Sequence, residues 1–214
     1  MSKSIPKHIC IRPVTLYDLQ KCLDLEEACF PESERASRDK VAYRLKYCPE
    51  LSSGLFIRTF EENKNKDDEY VLPNHSSVKE EKLIGLIMGT KCYDDRITER
   101  SMEIPKLTTE GLVDTSIPDN DKVGHVESAS NIGIHSLIIH PDYRGQNLAT
   151  LLFKDYLQKM SQQEVGSQII LIAHERLVPF YEKLGFNNLG PSQCRHGGES
   201  WIDFAIPIVH VNDD

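Results

Sequence analysis

One stretch of this chain limits its fold more than any other. Residues 133–139 are rich in β-branched side chains and form an extended run that breaks at Pro141. An amphipathic pattern begins a few residues later, with Leu148, Leu151, Leu152, Tyr156 and Leu157 on one broad face. A strand that turns this directly into a helix lays the helix back on a sheet. The C-terminal third agrees with that arrangement. Residues 168–173 are a largely apolar run, as expected of a strand covered on both faces. Residues 176–184 read as a short helix that Gly185 ends at its C′ position, and 201–207 read as a last strand.

The first half supplies more strands and two helices. Residues 9–12 are extended and stop at Pro13. Thr15 reads as a helix N-cap before Leu16, Leu19, Cys22, Leu23 and Leu25, and Phe30-Pro31 ends that helix. Ser37 caps a second helix whose stripe is Val41, Leu45 and Cys48, stopped by Pro49. Strands are expected at 55–60 and 83–90. Between them, residues 61–81 carry seven acids and three lysines, which reads as a solvated hairpin loop. Residues 91–130, broken by Pro105, Gly111, Pro118 and Gly124, read as a long connection placed to wall a substrate site. The expected class is α/β, or α+β by some schemes, with helices flanking a central sheet in one domain over 1–214.

Composition excludes some functions. A formal charge of −8 argues against a broad nucleic-acid surface. The apolar runs fall far short of the roughly 20 residues of a membrane span. No apolar segment follows the basic first residues, so no secretory signal is read and a cytoplasmic setting is the default. Six cysteines without tight spacing read as reduced and mostly buried, and the scattered His and Cys suggest no metal site.

The turn at 144–149, Arg144-Gly145-Gln146-Asn147-Leu148-Ala149, joins strand to helix and presents backbone N–H groups together with a helix N-terminus, a setting that suits a pyrophosphate. It matches neither the phosphate-loop pattern nor the dinucleotide fingerprint. Residues 141–152, PDYRGQNLATLL, do resemble the acetyl-CoA loop of the Gcn5-related N-acetyltransferases (GNAT), [Q/R]xxGx[G/A], with Arg144 first, Ala149 last and Asn147 at the middle glycine. Residues 173–186, ending in Y-x-x-x-G-F, resemble that family's later cofactor segment. Phe30-Pro31, ERAS at 34–37, CPELSSGLF at 48–56 and IGIHS at 132–136 resemble its arylalkylamine N-acetyltransferase branch, and within it the fungal polyamine acetyltransferases most closely.

The resemblance implies a mixed, mostly antiparallel sheet flanked by helices, with acetyl-CoA as co-substrate and a small cationic amine as acceptor. It implies that Ile138 and Ile139 orient the thioester through their backbone, that residues 144–149 take the phosphates, and that His174 lies near the cofactor. Tyr181 would protonate the leaving thiolate. His135 would assist removal of the amine's proton. The branch carries a second histidine two positions earlier, where this chain has Gly133. Phe30, Pro31, Glu32, Glu34, Cys48, Pro49, Glu50 and Leu51 would wall the amine pocket. Polyamines, arylalkylamines, protein lysines and N-termini stay open as acceptors, as does a non-catalytic acetyl-CoA-binding module. The oligomeric state stays open too.

Overall fold

Residues 4–60, 77–109, 112, 113, 116, 118 and 123–210 are described by the computed structural model. Seven strands form one sheet: β1 (Ile9–Pro13), β2 (Ser52–Phe60), β3 (Val78–Cys92), β4 (Asn131–Ile139), β5 (Gln168–Ala173), β6 (Asn187–Pro191) and β7 (Ile202–Pro207). Their order is β1-β2-β3-β4-β5-β7-β6. β4 and β5 run parallel, and the other neighbouring pairs are antiparallel.

Two helices cover one face. Thr15 caps a 3-10 turn at Leu16–Asp18, with Asp18 completing a capping box, and α1 (Leu19–Cys29) follows. Ser37 accepts from the Lys40 N–H and caps α2 (Arg38–Tyr47). Cys22, Leu25, Val41 and Leu45 from these helices pack on Phe56, Leu86, Met88 and Ile138. A short α3 (Glu99–Met102) lies in the connection after β3. The opposite face carries α4 (Leu148–Gln162) and α5 (Val178–Leu184), whose Leu152, Phe153, Tyr156 and Tyr181 meet Ile84, Ile87, Ile132, Ile169 and Phe204. Each large side chain buried this fully contributes roughly 1.5–3 kcal/mol. No described helix is long and apolar enough to cross a membrane.

Several expectations change. β3 begins at Val78, with Phe60 opposite it, so 78–81 belong to a strand. Glu81, read as loop, accepts from Arg12 at 2.8 Å and from Arg58 at 2.9 Å across the sheet. Charged side chains on the solvent side of a strand mimic loop composition. Residues 61–76 of the expected loop lie outside the described residues. Lys91 and Cys92, expected in the long connection, end β3. The helix expected at 176–184 becomes regular at Val178, after a 3-10 turn at Glu175–Leu177. β6 has no counterpart among the expected strands. Its sequence, NNLGP, suits an edge strand that pairs only with β7, irregularly between Asn188 and Pro191.

Two irregularities of β4 shape the middle of the sheet. Its pairing with β5 joins Asn131–Ile134 to Gln168–Leu171 and stops, although both strands continue. Against β3, Ser136 faces Met88 while Ile134 faces Gly89, so His135 is the extra residue of a β-bulge.

Candidate active site

Where β4 and β5 part, a cleft of about 820 Å³ opens. It is lined from the α4 face by Arg144, Asn147, Leu148 and Ala149, and from the α1 face by Phe30, Pro31 and Glu34. The turn at its mouth is built for close approach by a ligand. Gly145 has φ +78, and a Cβ there would meet no atom within 4 Å. Asn147 has φ 58 and ψ 19, a left-handed conformation that asparagine tolerates where the family pattern has glycine. Its side chain makes no capping hydrogen bond, so the first N–H groups of α4 remain for an incoming anion. Gln146 does not line the cleft; it is buried, with no partner for Oε1 among the described residues.

The parting leaves the β5-side edge of β4 free of its ladder. The His140 N–H donates to the Ile84 carbonyl at 2.8 Å. Ladder alternation then turns the backbone of Ile138 towards β3, and that of Leu137 and Ile139 towards the cleft. The Ile139 carbonyl already accepts from Arg144 Nε at 3.0 Å and from the Cys29 thiol at 3.5 Å. Leu137, which sequence reasoning did not single out, therefore offers the open backbone pair. Which backbone groups face the cleft depends on the register against β3, and no sequence signal carries that.

Tyr181 and His135 both line the cleft. The Tyr181 ring packs among Phe180, Phe186 and Phe204. Burial alone pushes its phenol above the ordinary value, so the group stays protonated at neutral pH and can donate. His135 Nε2 lies 2.7 Å from Thr90 Oγ1, while Nδ1 is buried with no partner among the described residues. Burial first, then the charges of Arg44, Lys40 and His196, hold this imidazole well below its usual pKa, so it is neutral at physiological pH. At Gly133 a Cβ would lie 2.8 Å from the Ile97 Cδ1, so a second imidazole there would have to displace the tip of that side chain.

At the other end, Glu34 is tied down. Its carboxylate lies 3.0 Å from His174 Nε2, and its carbonyl lies 3.0 Å from His196 Nε2. Trp201 stacks on His174 at 4.2 Å and donates its indole N–H to the His196 carbonyl. His174, expected beside the cofactor, thus lines the cleft as a partner of Glu34. Ile97, Met102, Ser136, His196 and Trp201 also line it and were not singled out from the sequence. Glu32, Cys48, Pro49, Glu50 and Leu51 do not line it. Cys48 is fully buried, with its thiol towards the Gly89 carbonyl. The Pro49–Leu51 turn is held against α4 by Lys159 on the Glu50 carbonyl and Tyr156 on the Leu51 carbonyl; Leu51 enters the core, while Glu50 stays exposed.

Glu50, His125 and Glu127 bring ligand-type atoms within 4.8 Å of one another. His125 Nδ1 accepts the Lys91 backbone N–H, which leaves the proton on Nε2, facing Glu127. Lys91 Nζ already pairs with Glu127 at 3.1 Å. Such an imidazole offers a cation no lone pair unless that backbone bond breaks.

The family profile described as Acetyltransferase (GNAT) domain matches residues 72–202. Serotonin N-acetyltransferase of Mesocricetus auratus is 24% identical over 170 residues, 79% of this chain and 62% of the relative, so the match spans under two thirds of that protein. The loading GNATL domain of CurA from Lyngbya majuscula superposes with a TM-score of 0.64 at 14% identity, covering 94% of this chain and 98% of that one. Arabidopsis thaliana NAA60 in complex with acetyl-CoA gives 0.55 at 16% identity, covering 93% and 97%. At such identities the structural likeness speaks for the fold.

Proposed function

Since the chain belongs to the acetyltransferase (GNAT) domain family, we propose that it moves the acetyl group of acetyl-CoA directly onto the primary amine of a small cationic molecule, a polyamine or an arylalkylamine. The observation that carries this reading is the cleft at the parting of β4 and β5, with an uncapped helix N-terminus at one end and carboxylate and aromatic side chains at the other. The match to a serotonin N-acetyltransferase favours a small amine as acceptor.

In this reading residues 144–149 hold the pyrophosphate through backbone N–H groups, the α4 dipole and the Arg144 charge. The open backbone of Leu137 pairs with the pantetheine arm as a further strand would. Tyr181 gives its proton to the departing sulfur. His135, neutral and with no partner for Nδ1 among the described residues, helps to free the amine of its proton. Phe30, Trp201 and Glu34 face the acceptor end. An aromatic face and a carboxylate suit a cation.

The test is release of CoA from acetyl-CoA across a panel of polyamines, arylalkylamines, a lysine peptide and an N-terminal peptide. Turnover with the small amines and little with the peptides is expected. Preference for either peptide would assign a protein acceptor, and tight acetyl-CoA binding with no turnover on any member would leave a binding module.

A further inference from the structure

We propose that Glu26, acting through the hydroxyl of Ser136, is the group on which the amine's proton comes to rest. The inference rests on the acetyl-transfer reading and supplies it with a second proton-handling pair. Ser136 follows the bulged His135 in β4 and lines the cleft. Its hydroxyl donates to Glu26 Oε1, behind it on α1. Glu26 is 2% exposed, and its other oxygen accepts the Ala36 N–H at 3.3 Å. Among the described residues no cation lies within ion-pair distance of it.

The charged and titratable groups around Glu26 come from every side. Burial is the largest influence and raises its pKa, while the hydrogen bonds from Ser136 and Ala36, then Arg44 on α2 and His196 in the β6–β7 connection, favour its anion. Arg44 hydrogen-bonds the Met102 carbonyl and, although burial pulls it down to about 10, stays charged at neutral pH. Cys22 and Cys29 on α1 are neutral thiols, pushed up by burial. His135 on β4 is a neutral imidazole.

This setting decides which of the two groups keeps the proton, whatever part His135 has in freeing it. A proton settling on His135 creates a buried cation in the field of Arg44. A proton settling on Glu26 removes a buried anion, which relieves a desolvation cost. As a mere tie between α1, β4 and Ala36, an amide would serve without that cost.

The step balances. The ammonium N–H passes its proton to Ser136 Oγ as the serine passes its own to Glu26 Oε1, and the freed nitrogen lone pair attacks the thioester carbonyl. The C–S bond breaks with its electron pair on sulfur, which takes the Tyr181 proton. The phenolate recovers a proton from the new amide nitrogen, and Glu26 returns its proton to solvent. One ammonium and one acetyl-CoA give one amide, one CoA thiol and one proton.

The test compares parent, Glu26→Gln, Ser136→Ala and the double variant with one active amine, as kcat/KM profiles from mildly acidic to alkaline pH, with KM for acetyl-CoA and thermal melts alongside. Each single change is expected to lower kcat/KM by about 10²-fold near neutral pH. The acid limb should vanish in Glu26→Gln, the KM for acetyl-CoA should hold, and the double variant should be no worse than the poorer single. Losses that multiply, profiles offset by a constant factor, or activity within about twofold of the parent would overturn the proposal. Should Glu26→Gln not fold, Ser136→Ala decides on its own profile, since it leaves the carboxylate in place. A parent inactive on every amine overturns the transfer reading and this one with it; an active parent with unaffected variants overturns this one alone.

Discussion

Tyr181, which lines the cleft, and Glu26, which lies behind Ser136, are both buried acids, and they differ in how visible they are. Tyr181 announces itself within a short motif, Y-x-x-x-G-F, and so does the turn at 144–149. Glu26 meets Ser136 across 110 positions and Glu34 meets His174 across 140, so no local pattern could declare either pair. Gly133 shows the converse. The sequence displays a missing histidine, but only the structure shows that the tip of Ile97 leans over the position. For Tyr181, removing the hydroxyl leaves the ring's packing on Phe186 and Phe204 intact. Tyr181→Phe should therefore keep the melting temperature and acetyl-CoA affinity while kcat falls about 10²-fold. Stopped-flow or single-turnover rates would check this where chemistry limits; a kcat near that of the parent would remove the phenol from the reaction.

Among the strands and helices, those with strong periodicity were legible and their edges less so. β5 falls at its expected bounds, because an apolar run between breakers leaves little choice. The β3 extension was hidden by its charges. Those charges are the ladder that ties β1, β2 and β3 together: Arg12 Nε and Nη2 reach Glu81, Nη1 and Nη2 reach Asp18, and the guanidinium lies 3.8 Å above the Phe56 ring. Hydrogen bonding to Arg12 holds the pKa of both Asp18 and Glu81 below its ordinary value. A depressed carboxyl pKa gives stability that is present above the unfolded value and lost as pH falls through the folded one. Arg12→Ala should cost about 2–3 kcal/mol near neutral pH, the scale for hydrogen bonds to charged groups with some lost packing. The loss should shrink in acid as both carboxyls protonate. Urea melts of parent and variant over that range measure it, and a penalty independent of pH would mean packing alone.

Taken from edge to edge, the sheet is held across its middle by the short parallel pairing of Asn131–Ile134 with Gln168–Leu171, and beyond it by side-chain ties such as Glu34 to His174 and His196. The opening between the strands is lined from both faces, by the α4 turn on one and by the end of α1 on the other. The cleft thus reaches residues on both faces of the sheet. In the proposed transfer, a cofactor held from the α4 face and an amine held from the α1 face would not exclude each other, and neither would have to leave before the other arrives. No protein group need carry the acetyl between visits. Initial velocities with both substrates varied should accordingly give intersecting lines, whereas an acyl-enzyme route gives parallel ones. A single molecule joining CoA to the amine through an acetyl bridge should span the cleft and bind far more tightly than the amine alone, because one association then engages both ends.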